Sequence, residues 1–249
     1  MTALHLADEG EAADLAAFLA RLIHYDRAAA VRLQASGTTL AVFGRPPSFE
    51  VLAIRTARLD KPYENGLDLS LDVTVSAGEL LESLDESAAT AAVPAAVTGP
   101  PWAGVLPPRG GWRSEPGLPG PDAVRTMVAG AVAEFRSRID ELALEGRTRS
   151  ALDRIGREIW SRPVGDTELP VRAAHAAQSL GFLRPARPAA TTGTAATTGT
   201  AATSATNTAV PDGAVLRLLS AGAWLRLRTP YGSIAVRRAG LGALDVSVR

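Results

Sequence analysis

The sequence predicts an α+β protein with antiparallel β-meanders at both ends and a helical middle region, and a repeat between the meanders that would make the molecule pseudo-twofold. Three observations predict it. Short runs alternating apolar and polar residues fill the stretch from Ala30 to Val75, the spacing that buries one face of a sheet. Val124, Met127, Val128, Ala131, Phe135, Ile139 and Leu142 then keep helical spacing over about five turns. Strand alternation returns at Leu216/Leu218, Leu225/Leu227, Ile234/Val236 and Val246/Val248, with Arg217, Arg226, Arg228 and Arg237 on the opposite face.

The first helix is marked by Leu15, Phe18, Leu19 and Leu22 behind Asp8, Glu9 and Glu11, whose charges suit a helix N-terminus. Ala30–Ala35 and Thr39–Phe43 flank a hairpin turn at Ser36, Gly37 and Thr38. Phe49–Arg55 is apolar on both faces, which predicts a central strand. Leu67, Leu69, Leu71, Val73 and Val75 alternate with Asp68, Ser70, Asp72 and Thr74, so a strand with one buried and one acidic face is expected over 67–75. Ser76 and Glu79 have the spacing of a capping box before Leu80, Leu81 and Leu84. Residues 1–91 therefore read as one unit, followed over 92–121 by a Pro/Gly-rich loop anchored by Trp102 and Trp112.

The helical region 122–185 continues with Leu152, Ile155 and Ile159. It ends in a helix that starts at Pro170 and stops at Gly181 and Phe182, as a Schellman motif prefers. Residues 189–203 repeat Ala-Ala-Thr-Thr-Gly-Thr and supply no core-forming side chains, so 186–211 reads as a low-complexity linker. Residues 212–249 read as a four-strand meander, too small to stand alone and expected to dock on the helices before it. The two meanders also align without a gap: Arg32/Arg217, Leu33/Leu218, Gly37/Gly222, Leu40/Leu225, Ser48/Ser233, Val51/Val236, Leu59/Leu244 and Asp60/Asp245 are identical pairs.

The 249 residues contain no cysteine, which excludes disulfides, thiolate metal sites and Cys nucleophiles and suits a reducing compartment. The N-terminus lacks the basic and apolar regions of a secretory signal, and no apolar run is long enough to span a membrane, so a cytoplasmic setting is expected. Net charge is zero but uneven: residues 1–100 hold seven basic and 14 acidic groups, residues 184–249 eight and two. Lys61 is the only lysine among 26 basic residues in a chain rich in Ala, Gly and Pro. In that texture the sequence resembles uncharacterised proteins of high-GC actinobacteria, a resemblance that carries over no site residues.

Chemical signatures are absent from the sequence. His5, His24 and His175 have no partner at metal-ligand spacing, and there is no Gly-x-Ser-x-Gly elbow, P-loop or dinucleotide fingerprint. No cofactor and no metal is expected, and catalysis is not the favoured reading. The basic strand face Arg217, Arg226, Arg228 and Arg237 is a candidate binding surface, expected to meet the acidic strand around Asp68 and Asp72 within one chain or across two. The opposed charges and duplicated layout resemble the chaperones of type VII secretion, which pair two half-similar sheet-and-helix units. That resemblance implies a non-catalytic module binding a protein partner, or a second copy, through a sheet face or edge. The alternative is a winged-helix DNA binder over 148–182 and the C-terminal hairpin, with Arg172, His175 and Gln178 facing the major groove. An enzyme with dispersed site residues is the third.

Overall fold

The protein is described here by a computed structural model covering residues 3–66, 68–185 and 216–238. Its elements are β1 (Ala3–His5), α1 (Glu9–Tyr25), β2 (Ala30–Ser36), β3 (Thr39–Gly44), β4 (Leu52–Arg58), β5 (Ser70–Ser76), α2 (Ala77–Glu82), β6 (Leu84–Asp85), β7 (Thr90–Ala92) and β8 (Arg113–Glu115), then α3 (Pro121–Asp140), α4 (Arg149–Trp160), α5 (Val171–Ser179), β9 (Arg217–Ala221), β10 (Trp224–Thr229) and β11 (Gly232–Arg237). Single 3-10 turns lie at Pro47–Phe49, Pro101–Gly104 and Leu144–Gly146. The fold is α+β, with antiparallel strands at both ends of the described chain and helices between.

Local chemistry sets the helix ends. The Asp8 carboxylate accepts from the Glu11 amide at 2.8 Å, satisfying one of the open N–H groups of α1. The Ser76 hydroxyl accepts in the same way from Glu79. At the end of α5 the Phe182 amide donates to the Ala177 carbonyl and the Gly181 amide to that of Gln178, the paired bonds of a Schellman stop, with Gly181 at φ 76°.

Both meanders enter one eight-stranded antiparallel sheet, in the order β5-β2-β3-β4-β11-β10-β9-β8. The C-terminal strands therefore do not merely dock on the helices, as expected. They complete the sheet by pairing β11 with β4. A second, three-stranded sheet has the order β1-β7-β6. The long sheet has a local twofold relation. Leu40 faces Ala57 across β3/β4, and its counterpart Leu225 faces Val236 across β10/β11. Carrying that register inward makes Ile54 and Ser233 counterparts, and these two residues pair directly with each other at the β4/β11 seam. The axis passes between them.

Each half also lays a helix, α1 or α5, against its own third strand on the same face. The gapless alignment survives in the hairpins, where Gly37 and Gly222 open two-residue loops at φ 56° and 55°. It fails beyond them. The Arg45–Val51 excursion has no equivalent in the short β10–β11 turn, so Ser48/Ser233 and Val51/Val236 are not structural counterparts. Leu244 and Asp245 lie outside the described residues, as do the linker 186–211 and the fourth strand expected at Val246/Val248.

The core fills the helix side of the sheet, where Leu15, Phe18, Leu19 and Leu22 of α1, Ala173, Ala176 and Ala177 of α5, and Val31, Leu33, Leu40, Val42, Leu218, Leu225, Leu227, Ile234 and Val236 are all buried. One charge sits inside it. Arg55, with 7% of its side chain exposed, points from β4 beneath α1 and donates to Glu11 at 2.8 Å, to Asp14 at 3.3 Å and to the Tyr231 carbonyl at 2.9 Å. Arg184 also pairs with Asp14 and lies over the Tyr231 ring, 3.7 Å from its centroid. The first two turns of α1, the middle of β4 and the β10–β11 turn are thereby tied together.

The opposite face is crossed by the 92–121 segment, which is more structured than a loop because it contains the 3-10 turn at Trp102 and strand β8. The Val97 amide donates to Thr74 at 2.9 Å, and Arg32 donates to the Ala103 carbonyl. Trp102 and Leu106 pack over Phe43, Leu52, Ile54 and Ala235. The strand expected over 67–75 begins only at Ser70. Asn65 and Asp68 close a turn before it, and Leu69 is 67% exposed because it precedes the paired edge. Leu67 is outside the described residues.

Two outcomes follow for stability. Replacing Arg55 with Met leaves the Tyr231 carbonyl without its donor and Glu11 and Asp14 with only the outer cations Arg58 and Arg184, and chemical denaturation should register a loss of about 2 kcal/mol. Terminating the chain after residue 185 removes β9–β11, opens the β4 edge and uncovers α5. Light scattering and calorimetry should find an aggregating species without a cooperative transition.

Candidate functional site

A groove of about 1530 Å³ opens where the 3-10 turn after β3 meets α3, α4 and α5. Each element turns a particular face toward it. Helix α5 buries Val171, Ala173, Ala174, Ala176 and Ala177 in the core, which leaves Arg172 and His175, one turn apart, on the groove side. Helix α4 buries Ile155 and Ile159 and presents Arg157 and Trp160, again three residues apart. Helix α3 contributes Phe135 and Arg136. The turn supplies Phe49 and then Glu50, a non-glycine residue in the left-handed region at φ 52°, ψ 38°. That backbone costs about 1 kcal/mol, and such outliers concentrate where a side chain must be aimed.

The groove wall is a run of touching rings. Phe135 lies 5.5 Å from Trp160, Trp160 stacks on His175 at 4.7 Å and 22°, and His175 meets Phe49 edge-on at 5.1 Å. Phe49 continues through Tyr25 to His24 on α1, each step edge-on at 5.3 and 5.4 Å. Burial lowers the pKa of His175 below the ordinary imidazole value, and its ring makes no hydrogen bond among the described residues.

Charge around the wall is lopsided. Arg136, Arg149, Arg157 and Arg172 line the groove against Glu50 and Asp153. Arg149 reaches Asp153 at 3.8 Å, and Arg157 donates its Nε–H to the Asp153 carbonyl at 3.3 Å, within its own helix. Among the described residues Arg136, Arg157 and Arg172 have no carboxylate partner, and Nε of Arg172 is buried without a hydrogen bond. Outside the groove Arg138 of α3 pairs with Glu158, and Arg162, just beyond α4, with Glu134 and Glu158.

The residues singled out from sequence fall in three places. Arg172 and His175 meet in the groove, whereas Gln178 is exposed and outside it. The arrangement is not a winged helix. The β10–β11 hairpin is enclosed between β4 and β9 in the sheet, and His175 is wedged between Trp160 and Phe49. Arg217, Arg226, Arg228 and Arg237 occupy the second sheet face: Arg226 lies 5.6 Å under the Trp112 ring and Arg237 5.3 Å from that of Trp224. Burial and the nearby Arg228 lower the pKa of Arg226, and its Nε is buried without a partner. Trp112 is fixed by its own indole N–H donating to Pro108 at 3.0 Å.

The acidic and basic faces do not oppose one another. Asp72 and Arg226 share one face, five strands apart, so roughly 24 Å separates them. Asp72 is instead held by Arg32 at 2.7 Å and Gln34 at 3.0 Å, with its pKa lowered chiefly by the Arg32 hydrogen bond. No group of three or more His, Asp or Glu suited to a metal ion occurs among the described residues, and no helix there is long and apolar enough to cross a membrane.

Fold and groove together define a two-unit α+β protein with one shared antiparallel sheet and an aromatic, arginine-bearing cleft on its helical side. Residues 107–241, more than half of the chain, match the family described as domain of unknown function (DUF8185), and the chain belongs to that family. Residues 1–104 match a second, domain of unknown function (DUF8010), and the boundary between the two falls within the 92–121 segment, a strap across the second sheet face. No curated protein and no solved structure matches the chain.

The depressed pKa of His175 fixes the sign of a pH effect. The neutral ring stabilises the folded chain above the unfolded value of about 6.5, and that contribution is lost as pH falls through the folded value. Unfolding free energies measured from pH 8 to pH 5 should therefore decline more steeply for the unmodified chain than for His175→Phe.

Proposed function

We propose that this protein is a non-catalytic interaction module, adaptor or chaperone-like, that seats a segment of a protein partner in the groove formed by Phe49, α3, α4 and α5. The observation that carries this reading is the aromatic wall from Phe135 to Phe49, set in an open groove of about 1530 Å³. Small-molecule sites are roughly 300–1,000 Å³ and largely enclosed, whereas rigid rings along an open groove suit the anchor side chains of a docked polypeptide. His175, the imidazole in the groove, is packed between rings rather than hydrogen-bonded to a carboxylate, which favours recognition over acid–base chemistry. Docking moves from the sheet to the helical side, because Trp102 and the strap already cover the centre of the free sheet face. A chain without cysteine suits a cytoplasmic setting for such a module.

Selection of a displayed library of short random peptides on the whole chain tests the reading. Peptides should be recovered whose binding is lost in Trp160→Ala and Phe135→Ala while the circular dichroism spectrum is kept. Recovery only of peptides indifferent to both substitutions, or binding of duplex DNA with steep salt dependence lost on Arg172→Gln, overturns it.

A further inference from the structure

We infer that the groove contains an oxyanion subsite, formed by Arg136, Arg157 and Arg172, and that the segment it accepts is therefore acidic. The inference rests on the groove being a docking site and names what that site selects. Its first support is the imbalance of charge: four arginines against two carboxylates line one groove, and one of those carboxylates, Asp153, is already engaged by Arg149. Outside the groove Arg138 and Arg162 are matched by Glu158 and Glu134, whereas the exposed Arg154 of α4 has no carboxylate partner among the described residues. Three unmatched cations, Arg136, Arg157 and Arg172, nevertheless converge on the one concave lining.

Arg172 is the second support. It lines the groove half-buried and no carboxylate pairs with it among the described residues, so its guanidinium is open to an acceptor on an occupant. Guanidinium offers parallel N–H groups matched to the two oxygens of a carboxylate or a phosphoryl group, so the acceptor that suits Arg172 is an oxyanion. Position is the third. Arg172 is one turn from His175 on α5, Arg157 one turn from Trp160 on α4, and Arg136 adjoins Phe135 on α3. Every cation is thus beside a ring of the wall, so an occupant contacting the wall with apolar side chains brings neighbouring acidic groups to the arginines.

The shared chemistry is an oxyanion on a peptide, and its source is a Glu or Asp side chain or a phosphorylated Ser or Thr. The groove-dependent peptides from the selection supply the probe. Each is resynthesised with its acidic residues as Glu, as Gln and as phosphoserine, and fluorescence anisotropy measures affinity for the whole chain. The Gln form should bind about tenfold more weakly than the Glu form, the loss of one charge-assisted hydrogen bond. Raised salt should weaken the Glu form and leave the Gln form nearly unchanged. Arg172→Gln, or Arg136→Gln with Arg157→Gln, should erase the difference between the two peptides, and Arg172→Lys should restore part of it.

A phosphoserine form tighter than the Glu form supports the subsite with phosphoryl as its source, and equal affinity supports it with carboxylate. Equal binding of Glu and Gln forms overturns the subsite alone, while the docking groove stands. Absence of any groove-dependent peptide overturns the docking reading, and the subsite with it.

Discussion

A single buried guanidinium holds the two halves of this molecule in register. Arg55 lies on the helix face of β4, where its structural counterpart in the other half is the apolar Ile234. Taking a charge out of water costs several kcal/mol, and only good geometry with several partners offsets it. Here two carboxylates of α1 and the Tyr231 carbonyl provide that geometry, although Nε remains without a partner. The acceptors come from both sides of the twofold axis. Displacement of β11 along β4 would break the Tyr231 contact, and rotation of α1 would break those of Glu11 and Asp14. The network therefore fixes the strand register that α5, and through it the groove, inherit.

Much of this architecture was legible in the chain. Helical spacing located α1, α3 and α4, and Gly181 with Phe182 gave the end of α5 down to its hydrogen bonds. The doubly apolar stretch around Leu52 and Ile54 correctly announced a central strand, since β4 is flanked by β3 and β11 and covered on both faces. The alternation at 67–75 overruns the start of β5 because it measures which face a side chain would take, not whether a neighbouring strand reaches it. Leu69 has the pattern but no cover. The duplicated hairpin was visible as identities, yet the continuous alignment beyond it was coincidence, since Arg45–Val51 inserts an excursion that only pairing registers reveal.

The groove was harder to see for a definite reason. Arg157 with Trp160 and Arg172 with His175 share a spacing of three, a signal present in the sequence, but helices supply such pairs constantly and only packing turns two of them toward one space. Phe49 and Glu50 share the apolar run of the strand that follows, yet they form the corner that completes the wall. Conversely, the basic strand face was conspicuous in sequence and is partly screened by Trp112 in three dimensions. Charge periodicity reports orientation relative to a sheet. It does not report which loop crosses over it.

The palindromic seam at Ile54 and Ser233 has a consequence for how the chain is made. Strand β4 is complete once Arg58 has left the ribosome, but its partner β11 begins only at Gly232. At roughly 5–20 residues per second, the nascent N-terminal unit spends about 10–35 s with the centre of its future sheet exposed as an edge. That edge carries Leu52, Ala53 and Ile54, all buried in the finished molecule, and it is built to pair with a strand related to itself by a twofold axis. A neighbouring nascent chain on the same messenger offers just such a strand. The symmetry that closes the finished sheet is thus a route to mispairing between polysomal neighbours, one that folding must outrun or a chaperone must cover.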